Sequence, residues 1–207
     1  MNVKVFLLSL CLVSGAAFAA NEPNPNFVYF TGGQTPGNWE WVLQDPDNWW
    51  KPIPDSGGES GSGKLVVVEA GDTTFPGALR FSWTKSEHGV NATISGTTLD
   101  LSALADKAEL MLALKVNSSV PKTVNLKIAC GENCEAQVNI ADNLKQAEPN
   151  TWFALPLALD CFTANGLDAG KINWPVSIGT SGALDLDIAE ISLSAMAEGD
   201  EGCVPNP

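Results

Sequence analysis

The feature that most constrains this chain is a set of short runs in which apolar and polar residues strictly alternate. Leu79, Phe81 and Trp83 alternate with Arg80, Ser82 and Thr84, while Leu110, Leu112, Leu114 and Val116 share a phase that leaves Lys115 on the other side. Val124, Leu126, Ile128 and Cys130 repeat the scheme around Asn125 and Lys127, and Leu184, Leu186 and Ile188 alternate with Asp185 and Asp187. Successive side chains of a strand point to opposite faces, so each run has one face for a core and one for water. Turn residues separate the runs, the pattern of antiparallel sheets packed face to face. Helical signals are short: Ser102 to Lys107 and Ala141 to Gln146 each suffice for a turn or two, with Ser102 or Asp142 near the start. The chain is therefore predicted to be an all-β sandwich of two antiparallel sheets with at most one or two short helices. Long 3.6-period segments are missing, which excludes all-α and doubly wound architectures.

The first 19 residues read as an export signal. Lys4 supplies a positive end, Val5 to Val13 is apolar, and Ala17-Phe18-Ala19 offers the small-x-small pattern of a cleavage site. The apolar run is too short to span a bilayer, and no later segment reaches the roughly 20 apolar residues a span needs. Cys11 is not placed for lipidation, because Leu10 before it is too bulky. Residues 20–198 are expected to form one domain. It includes a tryptophan-rich segment over 20–55 and a Gly/Ser-rich loop over 56–63, and an acidic tail follows over 199–207. The segment 20–55 is too short for a core of its own yet carries four tryptophans, so the Gly/Ser stretch reads as a loop within one domain rather than a linker.

Charge and cysteines narrow the class further. With 24 acidic and 11 basic residues the net charge is −13, and removing the signal, whose one charged residue is Lys4, makes it more negative. Such a surface repels phosphate backbones and anionic lipids, so nucleic-acid and membrane partners are not expected and a neutral partner fits better. After processing, Cys130, Cys134, Cys161 and Cys203 remain, which reads as two disulfides in a secreted protein, periplasmic or extracellular. Four cysteines permit three pairings. The favoured one joins Cys130 to Cys134 in a tight loop and Cys161 to Cys203 at the tail. A zinc site would need two ligands beyond the C-x3-C pair, and the single His88 is distant in sequence.

From about Leu65 to Leu193 the chain resembles the C-terminal galactose-binding-like, ExoP-type module of bacterial family 3 glycoside hydrolases that act on β-glucans. The resemblance is carried by Gly77-Ala78-Leu79-Arg80-Phe81-Ser82-Trp83, Leu99-Asp100-Leu101-Ser102, Cys130-Gly131-Glu132-Asn133-Cys134, Trp152 through Leu155-Pro156-Leu157 to Cys161-Phe162, and Thr180-Ser181-Gly182. It implies a jelly-roll sandwich like that of many carbohydrate-binding modules, without catalytic residues of its own, since the parent enzymes keep theirs in other domains. Cys203 and the acidic stretch Glu198 to Glu201 depart from the module's pattern.

Sugar recognition combines an aromatic ring for the C–H face with amides or carboxylates for the hydroxyls. Trp39, Trp41, Trp49 and Trp50 supply rings, Trp39 and Trp41 falling on one face of a strand about 7 Å apart. Gln44 and Asp47, with Asp45 and Asn48, supply polar partners, whereas Trp83, Trp152 and Trp174 are expected in the core. The phase of Leu184, Leu186 and Ile188 reverses at Ile191 and Leu193, which predicts a bulge near Ala189-Glu190. A carboxylate re-aimed by that bulge, Glu190, joined by Asp187 or Asp72 and by backbone carbonyls, is a candidate ligand set for a structural calcium ion. The sequence reading is thus a secreted, non-catalytic carbohydrate-binding protein for β-glucan or a related polysaccharide. The alternative is a module that docks onto a glycoside hydrolase or envelope partner.

Overall fold

A computed structural model describes residues 23–197 together with 199, 202 and 203. The signal segment 1–19 and, apart from Gly199, Gly202 and Cys203, the acidic tail lie outside the described residues. Thirteen strands form two antiparallel sheets packed face to face, the sandwich that the alternating runs predict.

The first sheet runs β11 (Trp152–Ala158), β8 (Ala108–Val116), β13 (Leu184–Ala195), β6 (Leu79–Trp83), β5 (Leu65–Glu69) and β4 (Gly57–Glu59), with β1 (Val28–Thr31) also paired to β13. The second runs β10 (Glu135–Asn139), β9 (Asn125–Ala129), β12 (Trp174–Thr180), β7 (Val90–Ser95), β2 (Glu40–Asp45) and β3 (Asn48–Ile53). The N-terminal segment is built into both layers, because β1 joins the first sheet and β2 and β3 join the second. The Gly/Ser stretch is a hairpin, its Gly57 to Glu59 pairing with Val68 to Val66. Ala141–Gln146 and Asp160–Thr163 are the two short α-helices, and Ser102–Leu104 makes a single 3-10 turn.

The expected bulge is present. Ile188 pairs with Leu114 and Glu190 with Ala113, so Ala189 is the extra residue of β13. On its other side β13 pairs with β6 up to Ile188 and with β1 from Glu190 onward. The bulge thus re-phases β13 where its neighbour changes and keeps Ile188 and Ile191 both fully buried.

Between the sheets lies one continuous core. Trp41 sits at its centre, edge-on to Phe30 (5.6 Å between ring centroids) and tilted against Phe81 (4.8 Å). Tyr29 meets Trp39 edge-on at 5.4 Å, and Trp83 stacks on Phe81 while its Nε1 donates to the Val90 carbonyl. Gly96 makes room for the Trp39 ring, which a Cβ at that position would strike. Both disulfides pair as favoured: Cys130 with Cys134 and Cys161 with Cys203.

Candidate functional site

The four upstream tryptophans divide between the core and the surface. Trp39 and Trp41 do share a face, but it is the inner one, because Trp41 pairs with the core residue Ile94; they are only 5% and 0% exposed. Neither offers a ring to a ligand, which corrects the expectation placed on them. Gln44 is likewise buried, at 1% exposure. Its Oε1 accepts from the Thr93 hydroxyl at 2.9 Å, and since Thr93 has one proton to give, it accepts in turn from Ser177 at 2.8 Å. Gln44 is therefore a link in a cross-strand polar row rather than a free sugar contact. Asp47 is exposed in the β2–β3 turn, and its carboxylate does not line the depression described below.

Trp49 and Trp50 are exposed, at 61% and 42%. Consecutive residues of a regular strand would point to opposite faces, but β3 carries an irregularity here. Leu43 pairs with Lys51 and Asp45 with Asn48, leaving two residues of β3 opposite Gln44 alone, and that extra residue frees both rings. Asp45 fixes the turn that presents them. It is fully buried, and its carboxylate accepts from the N–H groups of Asp47 (3.0 Å), Asn48 (2.9 Å) and Ser62 (2.8 Å) and from the Ser62 hydroxyl (2.6 Å). Burial by itself raises its pKa, but the bonds from Ser62, Ser60 and Asn48 outweigh that and hold the carboxyl well below the usual carboxylate range.

A third ring joins from β12. The register between β12 and β9 is irregular between Trp174 and Ser177, and Trp174 is partly exposed with its ring centroid 5.9 Å from that of Trp50. The strands carrying these two rings are three steps apart, roughly 14 Å at normal spacing, so both indoles lean over the intervening strands. Gln44, Thr93 and Ser177 lie on that face and are buried. Beside the rings is a depression of about 370 Å³, within the range of small-molecule sites, walled by Trp49, Trp174, Asn173 and the Cys130–Cys134 loop. The loop is held by its disulfide and by the Cys130 N–H donating to the Cys134 carbonyl at 2.7 Å. Gly131 (φ 107°) and Asn133 (φ 56°) supply the left-handed turns that so tight a ring requires. Lys127 and Glu135, an ion pair at 3.0 Å, form the remaining edge.

The sequence reading puts Trp152 and Trp174 in the core, and the structure places both outside it. Trp152 lies on the outer face of the first sheet, donating to Asp72 Oδ2 at 2.8 Å, beneath the Lys115 ammonium (4.5 Å) and edge-on to Phe75 (4.8 Å). Register aligns Arg80, Asp187, Lys115 and Trp152 in one row across β6, β13, β8 and β11. Asp187, fully buried, accepts from Arg80 through both oxygens (2.7 and 3.0 Å) and lies 3.3 Å from the Lys115 ammonium. Asp72 accepts from the same ammonium at 2.9 Å. The Phe75 N–H, then Lys115 and Trp152, hold the Asp72 carboxyl well below the usual range.

The three side chains expected to hold calcium do not form one close ligand group among the described residues. Lys115 and Arg80 occupy the oxygens of Asp72 and Asp187, and Glu190 accepts from the neighbouring Ser192 hydroxyl at 2.9 Å. Calcium takes six to eight oxygens directed at one point, so an ion here would draw on backbone carbonyls as well as these side chains. Among the described residues, one group of three potential ligands is close enough together, Asp160, Cys161 and Cys203, and its two sulfurs are spent on a disulfide.

Comparison with known proteins follows the same lines. A family model described as galactose-binding domain-like (Exop_C) matches residues 38–193. The extra C-terminal domain (X) of the exo-1,3/1,4-beta-glucanase ExoP from a Pseudoalteromonas species superposes with a TM-score of 0.67 at 17% identity, over 86% of this chain and 96% of that one. A family 30 carbohydrate-binding module gives 0.59 at 13% identity, over 86% and 90%. The family 30 module of a cellulosomal cellulase of Clostridium thermocellum gives 0.55 at 14%, over 81% and 95%. At these identities the likeness is one of fold. No curated protein matches the sequence.

Proposed function

The chain belongs to the galactose-binding domain-like family Exop_C, and from that premise we propose that it is an exported, non-catalytic carbohydrate-binding protein. It holds an uncharged polysaccharide, β-glucan or a relative, against the indoles of Trp49, Trp50 and Trp174. One observation carries this reading: three partly exposed rings converge beside a depression on one sheet face, although large aromatics normally bury most of their surface. Indole offers a broad apolar plane to the C–H face of a sugar, and a rigid backdrop keeps the cost of ordering low. Structures of like fold support the ligand class, one being a domain of a β-glucanase and two being carbohydrate-binding modules. Two disulfides support export, and among the described residues no helix is long and apolar enough to cross a membrane.

Affinity electrophoresis through gels containing laminarin, lichenan, xylan or galactan tests the reading. Retardation by at least one glucan, lost in a Trp49→Ala/Trp50→Ala double variant, is the expected outcome; no retardation in any gel sinks it. Docking onto a hydrolase is the second reading, suggested by the ExoP domain being part of a glucanase. A stable complex with a co-secreted hydrolase that shields Trp49 and Trp50 from quenching would replace glycan with protein as the occupant.

A further inference from the structure

The aromatic depression accounts for one end of the outer face of the second sheet and leaves the other end unassigned. On that face the register sets Asn91 of β7, Gly179 of β12 and Asn125 of β9 side by side. The next outward row holds Ser177, Lys127 and Gln137. The side-chain amides of Asn91, Asn125 and Gln137 make no hydrogen bond to any described residue, so their donors and acceptors are free for a ligand. Gly179 lets the Asn91 amide lie across the strand, since a Cβ there would collide with Asn91 Oδ1. These residues line a second depression of about 280 Å³, and Lys127 lines both. Ala129 in the first depression and Asn125 in the second are four residues apart on β9, about 13 Å along the strand and more than a single sugar ring covers.

We propose that the two depressions form one binding surface for an extended, neutral glycan chain of several units. One stretch of the chain stacks on the indoles, and another is hydrogen-bonded by the amides of Asn91, Asn125 and Gln137. This rests on the reading of the indole depression as a glycan site and adds that recognition runs along the chain rather than at one sugar. Neutrality follows from the charges around the surface. Glu135 neutralises Lys127, while Glu87 and Glu132 stand in the two depressions without an ion-pair partner among the described residues. Uronate-bearing or sulfated chains meet uncompensated carboxylates in both depressions.

Isothermal titration of the full chain with cello- and laminari-oligosaccharides, from disaccharide to hexasaccharide, tests this. Wild-type affinity is expected to climb with chain length. Asn91→Ala/Asn125→Ala should lose about tenfold on the hexasaccharide while keeping wild-type affinity for the shortest oligomer that binds. Gln137→Ala, at an exposed position where folding is not in question, should lose part of the same gain. Polygalacturonate should not bind at low salt. Length-independent affinity in the wild type, or hexasaccharide binding unchanged in both variants, overturns the proposal while leaving the indole site standing. Polygalacturonate binding as tight as that of the neutral chains overturns its neutrality. Failure of the wild type to bind at any length brings down the glycan reading itself, and this inference with it.

Discussion

Trp41 and Trp49 lie in one short segment, and replacing each with alanine should have opposite consequences. Trp49 is 61% exposed. Given roughly 250 Å² for a whole indole side chain, it presents about 150 Å² to solvent, and a sugar stacked on one face covers about half. At about 25 cal/mol per Å² that contact contributes about 2 kcal/mol, or roughly 20-fold in affinity. Trp49→Ala should therefore weaken glucan binding by about that factor and shift Tm by no more than about 2 °C. Trp41 is fully buried against Phe30 and Phe81. Trp41→Ala should cost about 3–5 kcal/mol, lowering Tm by roughly 6–20 °C for a domain of this size, with glucan affinity per folded molecule unchanged. Calorimetric melting and titration with a glucan oligosaccharide read both quantities on each variant. The reasoning fails if Trp49→Ala leaves affinity intact, or if Trp41→Ala abolishes binding without lowering Tm.

Three further predictions concern stability. The Asp45 carboxyl lies below its unfolded value of about 3.9, so its stabilisation is present above that pH and is lost as pH falls toward its folded value; Asp45→Asn should flatten the fall of Tm below about pH 5, and an acid limb as steep as wild type would refute the assignment. Excess chelator should leave Tm unchanged, because cations hold Asp72 and Asp187; a calcium-dependent rise in Tm that Glu190→Gln removes would restore the ion site. The two disulfides close loops of very different span, with sequence separations of 4 and 42. Loop-closure entropy gives about 2 kcal/mol for Cys130–Cys134 and about 4 kcal/mol for Cys161–Cys203. Urea unfolding of the paired Cys→Ser variants should rank them in that order, and the reverse order would contradict it.

Part of the proposed binding surface is legible in outline from the sequence. The outward phase of Asn125 and Lys127 is visible in the alternation of Val124, Leu126 and Ile128, and these residues do line the face beside the indoles. Trp174 reads as a core residue because it adjoins a strand-like run, and only the irregular register of β12 against β9 shows otherwise. Two of the three carboxylates chosen for calcium, Asp187 and Asp72, have cationic partners that sequence does not reveal because they are remote in the chain: Arg80 lies 107 residues from Asp187, and Lys115 lies 43 from Asp72. Proximity in sequence says nothing about a neighbour across a sheet.

The amino-acid order alone determined the class of fold and the bulge of β13, because alternation and a reversal of phase are properties of the local chain, and among three pairings of the cysteines it favoured the one that forms. It also determined that Trp39 and Trp41 share a face. Which face that is, and therefore whether a tryptophan packs or presents, was decided by tertiary structure. A period of two relates side chains to one another, and only the pairing of β2 with β7 and the irregularity in β3 relate them to the core and to water.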